Sequence, residues 1–106
     1  MVKEISVSEL HAKIKEKHDF MLLDVRTLNE VMVSKIEGSM HIPMNEIPNR
    51  LGDLDIDKEI IVQCKSGKRS AKVCEFLVLN NFKNVKNLEG GIIAWSKEID
   101  PSIIVF

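Results

Sequence analysis

The segment Cys64-Lys65-Ser66-Gly67-Lys68-Arg69-Ser70 gathers a thiol, three cations, two hydroxyls and a glycine into a single short stretch. Thiolate rather than thiol is the nucleophilic form of cysteine, and cations with aligned backbone N–H groups can bring its pKa from about 8.5 to below 7. Gly67 permits the tight, left-handed backbone that turns successive N–H groups inward as a cradle for negative charge. From Cys64 to Lys72 there are four basic residues and no acidic one, in a chain whose formal net charge is -1. The competing reading of Cys64 is a small apolar residue closing a buried strand. Such a residue has no need of a cationic, glycine-containing loop, so a reactive thiolate is the expectation.

The flanking sequence tells what must hold this loop. Glu59-Ile60-Ile61-Val62-Gln63 is rich in β-branched residues and reads as a central strand ending directly at Cys64. From Lys68 to about Leu79, the apolar residues Ala71, Val73, Cys74, Phe76, Leu77 and Val78 fit a helix lying on a sheet, ended by Asn80-Asn81. Its positive end would face the loop. Upstream, Ser6-Val7-Ser8-Glu9 has the form of a capping box and predicts a helix over 7–17; Thr27-Leu28-Asn29-Glu30 repeats the form and opens a short helix that fails before Gly38. Phe20 to Val25 is a nearly continuous apolar run, as in a strand buried on both faces, and Ser39 to Ile42 is a weaker one ending at Pro43. A helical turn is expected from Asn45 to Leu51, then a polar loop from Gly52 to Lys58. Val85 to Leu88 supplies a last strand, Gly90-Gly91 a turn, and 92–98 a final helix carrying Trp95.

Alternating strands and helices predict an α/β domain with a mainly parallel sheet covered on both faces. In such sheets ligands bind beyond the carboxyl ends of the strands, which is where Cys64 falls. The 106 residues, with 44% hydrophobic and 29% charged, suit one globular domain over 1–106. Near-neutral charge gives no reason to expect nucleic-acid or anionic-membrane binding. The apolar runs are too short to cross a bilayer, and Met1 to Ile5 lacks the apolar core of a secretory signal, so a cytoplasmic location is expected. No P-loop, carboxylate pair or metal-ligand spacing appears, so no metal and no cofactor are expected. Cys74, mid-helix among apolar neighbours, reads as an inert buried thiol, and Trp95 as a core anchor. His11, His18 and His41 read as surface or structural. Lys13, Lys15, Glu16 and Lys17 read as a solvated helix face, and Met21, Met32, Met40 and Met44 as gap fillers or as the lining of the site's mouth.

The cysteine loop also resembles the active-site loop of rhodanese-homology domains, in which cysteine, four residues and an arginine enclose an anion site. Asp24-Val25-Arg26 with Glu30, then Gly38-Ser39 and His41-Ile42-Pro43, look like that family's upstream signature in order and spacing. Leu88-Glu89-Gly90-Gly91-Ile92 with Ala94-Trp95 is similar to its C-terminal signature. Val31 and Ser34-Lys35-Ile36 depart from the pattern, where the family often has an aromatic residue and Gly-His-Ile. The resemblance implies a three-layer rhodanese-like fold of about five strands and a sulfurtransferase. In it Cys64 attacks the sulfane sulfur of a donor such as thiosulfate, becomes a persulfide, and is relieved by cyanide or a thiol. Lys65 and Arg69 would supply charge, and Ser66, Gly67, Lys68 and Ser70 backbone contacts; Asp24, Arg26 and Glu30 would be structural. No histidine base is needed. Phosphatases of this fold place five residues between cysteine and arginine, against four here, which ranks sulfur transfer above phosphate chemistry. A carrier relaying persulfide sulfur between protein donors and acceptors is the alternative, and a non-catalytic interaction module the third.

Overall fold

The computed structural model describes residues 2–105. Five strands, β1 (Lys3–Ile5), β2 (Met21–Asp24), β3 (Met40–His41), β4 (Ile60–Gln63) and β5 (Val85–Leu88), form one sheet in the order β1-β5-β4-β2-β3. Every neighbouring pair is parallel, so the sheet is wholly rather than mainly parallel. Parallel pairing demands a crossover between successive strands, and these crossovers cover both faces of the sheet. On one face α3 (Lys68–Leu79) and the segment around Ile47 pack on Leu23, Ile60, Val62 and Val85. On the other, α1 (Val7–Lys15) and α4 (Gly91–Glu98) pack on Ile5, Leu22, Ile61 and Leu88. The pleat of β4 divides its side chains between these two cores, which is why all four of its residues are buried.

Both predicted capping boxes are present. The Ser6 hydroxyl accepts from Glu9 N while the Glu9 carboxylate accepts from Ser6 N, and Thr27 and Glu30 do the same at α2 (Leu28–Val33). Asn81 ends α3 in a left-handed conformation, φ 71°. Trp95 is buried, with His11 edge-on to it at 5.8 Å.

Sequence reading missed β1. Only Ile5 of its three residues is buried, so Lys3 and Glu4 give it no apolar signature; register against Lys86, Asn87 and Leu88 makes it a strand. Residues 44–49 and 51–53 are 3₁₀ turns rather than a single helical turn and a loop. Pro48 inside the first has no N–H to give an α-helical ladder. Lys13 is not on a freely solvated face, since it and Lys86 both grip Glu59. Met32 fills no gap: α2 buries none of its residues, and Met32 is 76% exposed.

One polar pair lies wholly inside. Asp24 at the end of β2 is 0% exposed and Arg26 2%; Arg26 Nε and Nη2 donate to the carboxylate at 2.8–3.2 Å, and Nη2 also donates to Ser34 O. Removing one partner of such a pair strands the other charge without solvent. Asp24→Ala should therefore lower unfolding free energy by about 3–5 kcal/mol in denaturant titration.

Candidate active site

Cys64 follows β4 directly, at the carboxyl edge where the chain diverges: β4 leads through α3 to β5 on one side, and β2 leads through α2 to β3 on the other. Open parallel sheets leave a crevice at such a point. Residues 65–67 then turn sharply into α3, with Gly67 at φ 101° as its N-terminal cap. An L-residue rarely adopts that backbone, and glycine does so without a Cβ penalty.

The turn closes around sulfur. Cys64 Sγ accepts from Gly67 N at 3.1 Å, from Ser70 N at 3.4 Å and lies 3.3 Å from Ser70 Oγ. Burial is the largest influence on the thiol and pushes its pKa up. The Ser70 hydroxyl and the N–H groups of Ser70, Gly67 and Ser66 together outweigh it, so the net displacement is downward. Hydrogen bonding to the charged form, more than the loop's cations, holds this thiol down. Cys74, buried on α3, goes the other way: burial first, then the charges of Glu4, Cys64 and Glu75, push it up to about 12. Both cysteines are free.

A second contact fixes the outer side of the loop. Ile92 N donates to Cys64 O at 2.9 Å and Ile93 N to Lys65 O at 3.1 Å, so the first N–H groups of α4 take the loop's carbonyls. The C=O and N–H of a trans peptide point in opposite directions. With Lys65 O turned out to α4, Ser66 N turns in toward the sulfur. This docking needs Gly91: a Cβ there would lie 2.5 Å from both Cys64 O and Lys65 O.

The cations separate. Arg69 forms a bidentate pair with Glu30 on α2, at 2.7 and 2.9 Å, and its side chain is one-third exposed. That guanidinium, with Thr27 assisting, holds the Glu30 carboxyl down to about 2. Among the described residues, Lys65, half-buried, and Lys68, exposed, form no ion pair. Of the residues singled out from sequence, Cys64, Ser66, Gly67 and Ser70 converge on the sulfur. Arg69 is turned to Glu30, and Lys68 makes no contact with it. His41 Nε2 bonds Arg26 O at 2.7 Å, so it is structural. A cleft of about 480 Å³ opens beside the loop, walled by Val25, Pro43 and Met44 with Arg26, Thr27, Asn45 and Arg69.

Two features of the site escaped sequence reading. The Ser70 side chain, not its backbone alone, reaches Sγ. Asn87 of β5 lies behind it, 2.5 Å from Ser70 Oγ. Only the pairing of β5 with β4 brings residues 17 positions apart together, and a single asparagine within a strand gives no signal of it.

Comparison with known proteins agrees with this geometry. The model of the rhodanese-like domain family matches residues 6–98. The putative sulfurtransferase YtwF of Bacillus subtilis is 43% identical over 100 residues, covering 94% of this chain and 96% of its own. A sulfurtransferase of Allochromatium vinosum is 35% identical, covering 97% and 96%. The crystal structure of a rhodanese-like domain protein from Staphylococcus aureus superimposes with a TM-score of 0.85 at 36% identity, covering 92% and 95%.

Two outcomes are expected. Gly91→Ala, forced onto two carbonyls at φ 58°, should cost at least about 2 kcal/mol in thermal or denaturant unfolding. Glu30 should give an acid signature. Its folded pKa of about 2 lies below the ordinary 4.5, so its contribution is complete above 4.5 and is lost as pH falls toward 2. Unfolding titrations across that window should show the wild type losing stability faster than Glu30→Gln, the two converging at the acid end.

Proposed function

This chain belongs to the rhodanese-like domain family, and from that premise we propose that it is a sulfurtransferase of the thiosulfate type, working through a persulfide on Cys64. The observation that carries the reading is the sulfur itself, enclosed by the N–H groups of Ser66, Gly67 and Ser70 at the end of a central parallel strand. The thiolate attacks the outer, sulfane sulfur of the donor. An Sγ–S bond forms while the donor's S–S bond breaks, and the electron pair leaves with sulfite, or with a thiolate when the donor is an organic persulfide. Cyanide or a thiolate then attacks that outer sulfur, and the pair of the broken Sγ–S bond returns to Cys64.

The loop N–H groups stabilise the anion at each stage in the manner of an oxyanion hole. Lys65 and Lys68 attract the donor, and Ser66, Gly67 and Ser70 hold the sulfur. Arg69 adds its charge from the cleft wall while held by Glu30. No general base is required of a thiol already held down by its surroundings. The reading includes a cytoplasmic location, in keeping with two free cysteines.

Transfer between proteins is a second reading, favoured by one observation: Glu30 already takes an N–H from each terminal nitrogen of Arg69, so much of that charge is balanced before a small dianion arrives. A protein persulfide entering the cleft would depend less on that cation. Intact-mass measurement tests both. The purified protein should gain the mass of one sulfur on exposure to thiosulfate or a persulfide donor, lose it to cyanide or reductant, and gain none as Cys64→Ser. Faster loading by a persulfide-bearing protein than by thiosulfate would favour the relay. No gain from any donor, or a gain that survives Cys64→Ser, would sink the proposal.

A further inference from the structure

Ser70 Oγ lies 3.3 Å from Cys64 Sγ and 2.5 Å from Asn87 Oδ1, and a hydroxyl has only one hydrogen to donate. The orientation of Asn87 decides who receives it. Asn87 Nδ2 lies 3.0 Å from Glu4 Oε2 and 3.0 Å from Gly67 O, so both of its hydrogens face acceptors and Oδ1 must face Ser70. That oxygen has only lone pairs, so the short contact needs the Ser70 hydrogen. Ser70 Oγ then turns a lone pair to Sγ and serves the protonated thiol as an acceptor. When the thiol gives its proton to solvent, the hydroxyl rotates and donates to the thiolate, and the bond to Asn87 is lost. Ser70 and Asn87 are buried, so this exchange takes place where hydrogen bonds to charge count most.

We propose that Asn87 is a positioning residue for the nucleophile, competing with Cys64 for the single Ser70 hydrogen and so setting how readily the sulfur ionises. The inference rests on the reading of Cys64 as the reacting thiol. It adds to that reading a residue on another strand that never touches the sulfur. Asn87 also ties the site to the sheet edge: its amide spans Gly67 O, in the loop, and Glu4, exposed on β1. The other charged or titratable groups that act on this cluster are Arg69, Cys74 and Glu75 on α3, Glu30 on α2 and Asp24 on β2. None is altered in the variants below.

Asn87→Leu removes the competitor at similar volume. Gly67 O keeps its bond from Ala71 N, and Glu4 keeps its solvent, so no buried group is orphaned. Ultraviolet thiolate titration should then show the Cys64 midpoint moving to lower pH, with iodoacetamide alkylation below the midpoint about threefold to tenfold faster. Cys74, pushed up to about 12, is silent in that range. Asn87→Asp, which grips the hydrogen harder and adds negative charge, should move the midpoint up. A merely structural role would move both variants the same way. In a Ser70→Ala background the leucine substitution should have no effect on the midpoint. If Asn87→Leu does not fold, Asn87→Ser, too short to reach Ser70, should shift the midpoint downward as well.

An unchanged midpoint overturns the proposal, as does an equal shift with and without the Ser70 hydroxyl. The titration needs no sulfur donor, so it is independent of the sulfur-loading measurement. Loading without a midpoint shift in Asn87→Leu sinks only the role of Asn87, and a shift without loading in the wild type sinks only the transferase reading.

Discussion

The rest of the site depends on the direction in which two peptide carbonyls point. Because Cys64 O and Lys65 O are taken by the first N–H groups of α4, the Ser66 N–H turns inward, toward the sulfur that Gly67 N and Ser70 N also reach. The contact solves two problems together. It satisfies helix-end donors that would otherwise lack partners, and it holds open a concave ring of donors that a free heptapeptide would not maintain against its own entropy. Gly91 is the steric condition for it, and Gly67 supplies the turn that closes the ring.

Charge is distributed around this ring in an unexpected way. A cationic loop suggests Coulombic attraction as the means of holding a thiolate, yet the strongest cation is committed to Glu30 and the sulfur is served by neutral donors. Neutral donors in a buried site offer a steadier environment than mobile lysines, because they are fixed by the backbone and are not screened by salt. The Glu30–Arg69 pair serves a different end. It ties α2, which buries no side chain of its own, to the helix that follows the cysteine, and so sets one wall of the cleft. The buried Asp24–Arg26 pair holds the chain entering and leaving α2 from inside, through Arg26 Nη2 on Ser34 O.

Polar groups inside the sheet connect these parts. Ser70, Asn87 and Glu4 lead from the sulfur to the edge strand across three elements, the two outer links being hydrogen bonds between residues 17 and 83 positions apart. Two of the three are buried, where an unsatisfied partner is costly, so the side chains are held in place while the single Ser70 hydrogen chooses between two acceptors.

The sequence by itself determined the alternation of elements, both capping boxes, the extent of α3 and the place of Cys64 between strand and helix. All of these follow from local periodicity and from residues within a few positions of one another. The likeness of the three motifs to rhodanese-homology domains was legible for the same reason, and the family match bears it out. What the tertiary structure alone decided is everything that joins residues far apart. β1 is a strand because β5 lies beside it, the loop carbonyls turn outward because α4 docks on them, and Arg69 turns to a carboxylate 39 residues away. Asn87 reaches the site only through the pairing of β5 with β4. A hydrogen bond between distant residues leaves no periodicity and no spacing, so the sequence could name the thiol and the loop N–H groups around it but not the Ser70 hydroxyl's link to Asn87.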